Sequence, residues 1–144
     1  MAIKDLAAFA KAVELLGGTY HPAKTKWRWF GTWVQDYNEG DAAYKHGIDP
    51  KRYGTADAGV VTMPGCNWDV GIYKHPTKPG VYVPVFDFFT GGHGLVKALG
   101  GQELQGLKIR YAAEVTKKKL RKNGYKVRES QDKCGRPKLV ATKL

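Results

Sequence analysis

A chain of 144 residues with 24 Lys+Arg against 13 Asp+Glu, net charge +11, and 42% hydrophobic residues is apolar enough for a core and too apolar for a disordered tail. Cys66 and Cys134 belong to no CxxC or Cys/His cluster, which fits a reducing compartment and removes the sequence basis for structural zinc. No apolar run approaches the ~18 residues of a membrane span, and Asp5 and Glu14 interrupt the N-terminal apolar stretch, unlike a signal peptide. The expectation is a single cytoplasmic domain over 1–144, with no membrane association and, from 18 Gly and 7 Pro, many turns.

Asp5 is placed to N-cap a helix whose Leu6, Phe9, Val13 and Leu16 share one face, and Gly17-Gly18 is placed to end it. After His21-Pro22, residues 24–34 alternate, with Trp27, Trp29 and Trp33 on one side and Lys24, Lys26 and Arg28 on the other, the pattern of a strand. Residues 35–58 lack periodicity and read as a long irregular excursion. Strands are expected over 59–63, 68–74 and 81–89, separated by turns at Pro64-Gly65 and Pro79-Gly80, with Trp68, Val70 and Ile72 on one face of the middle strand. Pro84 lacks an N–H donor and points to an edge position or bulge. A short helical piece at 95–99 precedes the longest helix, about 103–123. There Leu104, Leu107, Tyr111 and Val115 form the apolar stripe, Arg110, Glu114, Lys117 and Arg121 the polar one, and Glu114 is spaced to pair with Lys118. Asn123-Gly124 stops it, and 125–130 with 138–143 form a terminal hairpin. The fold class is therefore α+β: a mostly antiparallel sheet with two main helices packed on it, in the order α-β-β-β-β-α-β-β.

The charge is uneven along the chain. Residues 1–100 hold 11 Lys+Arg against 9 Asp+Glu, whereas residues 101–144 hold 13 against 4. The excess is densest at Lys117-Lys118-Lys119-Leu120-Arg121-Lys122, a block that suits a polyanion or, more plainly, a solvated helix C-terminus favoured by the macrodipole.

Tyr111-Ala112-Ala113, Val115 and Asn123-Gly124-Tyr125, followed by a charged hairpin, resemble the family catalogued as domain of unknown function family 1257. Its other segments would be Leu15-Leu16-Gly17-Gly18, Met63-Pro64-Gly65, Trp68-Asp69-Val70-Gly71-Ile72 and Val85-Phe86-Asp87-Phe88-Phe89, in family order over nearly the whole chain. That family includes a plastid and cyanobacterial reading-frame protein and many short tailed-phage proteins, and the long excursion makes the phage-type members more similar. The resemblance implies a fold and a viral or prophage setting, with no activity and no site residues to carry over.

Catalytic chemistry finds little support. His21, His46, His75 and His93 lie in expected loops, away from any GxSxG or Cys/His signature. Asp69 and Asp87 sit on neighbouring expected strands, where a structural hydrogen-bonding role is the simpler reading than acid–base work. Asp36, Glu39, Asp41 and Asp49 lack calcium-loop spacing. Residues 90–94 are Gly-rich without the Lys-Ser/Thr end of a phosphate loop. No catalytic residue, cofactor or metal is therefore expected, and the chain is not read as an enzyme.

Two binding functions are left. The first is nucleic-acid binding, to DNA or RNA, by a small basic phage-type accessory protein using Lys117, Lys118, Arg121, Lys122, Lys126 and Arg128, joined by Lys24, Lys26 and Arg28 on the strand opposite the tryptophans. Those tryptophans serve either as a stacking platform for single strands or as core, and three on one strand face favour core. The second is a protein-interaction module docking on an acidic host or viral protein through Tyr37, Tyr44 and Tyr53 in the excursion.

Overall fold

The computed structural model describes residues 1–29, 48–87, 94–101 and 104–144. Helix α1 (Leu6–Leu15) begins at Asp5, whose carboxylate accepts the Ala8 N–H at 3.0 Å, and ends where Gly17 turns to φ 88°. Strand β1 (Thr19–His21), a single 3₁₀ turn (Pro50–Arg52), β2 (Val60–Thr62), β3 (Val70–Lys74) and β4 (Tyr82–Val85) follow. Helices α2 (Leu95–Ala98) and α3 (Gln105–Lys122) and the hairpin of β5 (Tyr125–Gln131) with β6 (Pro137–Lys143) complete the chain. The four-stranded sheet runs β1-β2-β3-β4, antiparallel throughout, and β5-β6 is a separate two-stranded antiparallel sheet. This is the α+β class in the expected order.

The sheet is covered on both faces, by different kinds of structure. Val61, Val70 and Ile72 face a cluster made by Phe9, Ala12 and Val13 of α1, Leu95 and Leu99 around α2, and Leu104 and Leu107 at the start of α3. Val60, Tyr73, Val83 and Val85 face the other way, onto Trp27, Ile48, Tyr53 and Ala56, with Trp29 at the margin. Alternation along β3 and β4 produces this two-sidedness, since successive residues point to opposite faces. β4 is an edge strand, as Pro84 requires. Tyr82 exchanges both backbone bonds with Ile3 at 2.8 Å outside the sheet, and Pro84, two residues on, stands at the same phase. Its missing N–H is therefore one no ladder partner would use.

The first expected strand is corrected. β1 occupies Thr19–His21, paired with Thr62, Val61 and Val60, while residues 24–29 make a single bridge, Lys26 to Thr55. Trp27 and Trp29 are held by loop contacts instead of a ladder. The Trp27 N–H donates to Gly54 O at 2.9 Å, and its indole Nε1–H reaches Thr55 O at 2.7 Å and Tyr73 Oη at 2.9 Å. Tyr73 Oη in turn donates to Arg52 O at 3.0 Å, and burial pushes its pKa up to about 12.

α1 is tied to α3 by polar contacts at its start. Tyr111 Oη accepts the Lys4 and Asp5 N–H groups at 2.9 and 3.1 Å, and Lys118 Nζ lies 2.8 Å from Asp5 Oδ2. Asp5 thus combines a cap with an ion pair. Asp5→Ala should cost about 1 kcal/mol in urea denaturation, whereas Asp5→Asn, which keeps the cap and loses only a solvent-exposed pair, should cost less than about 0.5 kcal/mol. Equal losses in the two variants would mean that the cap contributes nothing.

Candidate nucleic-acid interface

The basic segment folds as a long helix with a hairpin laid along it. α3 ends at Asn123, Gly124 takes φ 87°, and the chain reverses into β5. The hairpin register pairs Lys126 with Thr142, Arg128 with Val140, Glu129 with Leu139, and Ser130 with Lys138. Its turn is fastened by Asp132, whose Oδ1 accepts the Cys134 and Arg136 N–H groups at 2.8 and 2.9 Å. Those backbone donors, Arg136 first, hold the Asp132 carboxyl below its ordinary value.

Strand parity then sorts the side chains by function. Tyr125, Val127, Glu129 and Leu139 turn toward α3, and all of these but Glu129 are half-buried apolar groups. Lys126, Arg128 and Ser130, with Thr142, Val140 and Lys138 opposite them, form the outward face. That face carries three cations and no carboxylate.

Two acidic groups of the region, Glu114 and Glu129, face the seam between helix and hairpin. Arg110 Nη2 contacts Glu114 Oε1 at 3.3 Å and also Glu129, and Lys117 Nζ lies 2.6 Å from Glu114 Oε1 and 3.0 Å from Glu129 Oε1. The Glu114 and Lys117 side chains are only 9% and 13% exposed. Two cations and two carboxylates compensate one another between helix and hairpin, so Arg110, Glu114 and Lys117 of the expected polar stripe form an inner seam. Lys117 belongs to the inner seam and is withdrawn from the candidate surface. Glu114 pairs with Lys117 and not with Lys118, which reaches across to Asp5 instead.

Arg121, Lys122, Lys126 and Arg128 are exposed, as are Lys119 and Lys138 beyond the expected set, and among the described residues none of these six has a carboxylate partner. Lys119 and Lys138 were legible in principle. Lys119 lies in the same basic run, and Lys138 follows from the hairpin register once the turn is placed.

The other expected site residues are dispersed. Lys24 and Lys26 are exposed, but Arg28 is committed locally. Its Nε donates to Asp69 Oδ1 and Oδ2 at 3.2 and 3.0 Å, its Nη2 to Oδ1 at 2.8 Å, and its backbone N–H to Oδ2 at 2.9 Å. The Asp69 side chain, 5% exposed, is thereby a structural anchor. Trp27 is buried and Trp29 half-buried against Tyr53, with ring centroids 5.1 to 6.1 Å apart, so of the expected platform Trp27 is core and Trp29 packs at its margin. Tyr53, 7% exposed, sits in that core and cannot serve as a docking residue. Trp33, Tyr37, Tyr44, His46 and His93 lie outside the described residues, as does most of the excursion.

Cys66, His21 and His75 have defined local surroundings. Burial pushes the Cys66 thiol up, away from the thiolate a nucleophile needs. His21 Nε2 is 2.9 Å from Thr62 Oγ1, and His75 Nδ1 accepts the Thr77 and Lys78 N–H groups at 3.1 Å, a turn-closing role. No three His, Cys, Asp or Glu side chains among the described residues gather as a metal-ligand set, and no described helix is long and apolar enough to cross a membrane. No family model, curated protein or solved structure matches the chain.

Proposed function

We propose that this protein binds nucleic acid through the phosphate backbone, using Lys119, Arg121 and Lys122 on α3 and Lys126, Arg128 and Lys138 on the hairpin. One observation carries the reading: strand parity and the ion cluster of Arg110, Glu114, Lys117 and Glu129 direct both carboxylates toward the seam with α3, leaving cations as the only charged groups on the outward hairpin face. A surface evolved only for solubility would gain from interspersed signs. The attraction works by counterion release, with each neutralised phosphate freeing condensed cations. The phage-type setting rests on the sequence resemblance alone, and the reading of the surface is independent of it.

Binding of the full chain to labelled DNA and RNA, followed by fluorescence anisotropy, tests the proposal. With about six phosphate contacts, affinity should fall roughly a thousandfold between 50 and 200 mM salt. The triple variant Lys126→Ala, Arg128→Ala, Lys138→Ala should lose most of that binding and flatten the salt slope by about three. The pair Lys24→Ala, Lys26→Ala should leave it nearly unchanged. No binding at 50 mM salt, or equal losses from both sets, would refute the proposal.

A further inference from the structure

The outward hairpin face holds more than charge. Arg128 and Val140 stand directly opposite each other at its centre, with Lys126 and Thr142 on one side and Ser130 and Lys138 on the other. Val140 is one of the large apolar side chains left exposed, 39% accessible in the middle of a cationic surface. Phosphate contact alone has no use for it. The face carries no aromatic ring, because Tyr125, the hairpin's one aromatic residue, is turned toward α3. It therefore lacks the stacking groups by which single strands are held.

The dimensions suit a groove. Seven residues per strand at ~3.3 Å give a ribbon about 20 Å long, and its two strands lie about 4.8 Å apart, which a B-form major groove about 12 Å wide admits. α3 supports the opposite side through the Arg110, Glu114, Lys117 and Glu129 cluster, so the ribbon is presented as a fixed element.

Resting on the phosphate-binding reading above, we infer that the β5-β6 hairpin enters the major groove of B-form duplex DNA, with Arg128 directed at a guanine and Val140 at a thymine methyl. Arg128 offers the planar fork that matches guanine O6 and N7, and Val140 supplies apolar contact with the methyl group. Lys126 and Lys138, at the two ends of the face, reach the flanking phosphates, and Lys119, Arg121 and Lys122 extend those contacts along the backbone. A-form RNA has a major groove too deep and narrow for this insertion.

The test uses the full chain with duplex DNA enriched from a random pool, its single strand, an RNA duplex of the same sequence, and the DNA duplex carrying 7-deazaguanine. At about 100 mM salt the enriched duplex should bind at least about tenfold tighter than either the single strand or the RNA. Losing guanine N7 should weaken binding about tenfold, and Arg128→Lys, which keeps the charge but not the fork, should do the same on the normal duplex with no further loss on the 7-deazaguanine one. Circular dichroism of the variant checks its fold. Equal affinity for all four probes, or a pool that never enriches, would overturn groove entry while leaving phosphate binding intact. No binding to any probe would overturn both.

Discussion

Gly71→Ala should destabilise the protein by about 3 kcal/mol, read as a lower urea midpoint at unchanged slope. Gly71 pairs with Val60 on one side and Val85 on the other, in the middle of the sheet. A methyl there would lie 2.5 Å from Cδ1 and 2.8 Å from Cε2 of Trp27, and nearer still to Nε1. The cost is steric, since Gly71 is not among the positive-φ residues and alanine could adopt its backbone. Trp27 cannot simply move aside. Its indole N–H is bonded to Thr55 O and Tyr73 Oη inside the core, and leaving a buried donor unsatisfied costs about 1 to 3 kcal/mol. Trp27→Phe should relieve part of the clash, so the double variant should be less destabilised than the sum of the single ones. Strict additivity would show that the indole does not rest on Gly71.

The Trp27 and Trp29 alternation marks both rings as apolar without defining a strand, because period-two spacing does not distinguish ladder pairing from side chains inserted against a neighbouring sheet. What holds them is a set of bonds to residues 52–55 and 73, which no local pattern encodes. Features set by nearby residues are legible: the Asp5 cap, the Gly17 and Gly124 reversals, the Leu104, Leu107 and Tyr111 part of the apolar stripe of α3, and the terminal hairpin. The helix polar stripe was legible as a stripe but not as a seam. One clue was present, since Glu129 falls at the same parity as Tyr125 and Val127 and so had to point where they point, under the hairpin. Tyr53 misled for a related reason: polar neighbours along the chain say nothing about a ring whose core contacts are distant in sequence.

Glu114→Ala should cost about 3 kcal/mol, because removing one carboxylate leaves Arg110 and Lys117, largely buried, sharing Glu129 alone. Acid should loosen the same seam from its other side. Arg110, and after it Lys117, hold the Glu129 carboxyl below its ordinary value of 4.5. A depressed folded-state pKa contributes stability that is complete above about pH 4.5 and is lost as pH falls through the lower, folded value. Asp5, lowered by Lys118 and by the Ala8 N–H, acts in the same direction. Urea denaturation between pH 3 and 7 should show this decline, and Glu129→Gln should flatten it by the seam's share, while Asp5→Asn, which has no carboxyl to titrate, should remove the whole of the Asp5 share. An unchanged pH profile in Glu129→Gln would count against the seam. Glu114→Ala also separates geometry from bulk charge in the proposed binding role. It raises the net charge by one, so attraction governed by total charge alone would tighten DNA binding. A hairpin face that must be held against α3 should instead bind more weakly, and hydrogen exchange in β5 and β6 should rise together with that loss.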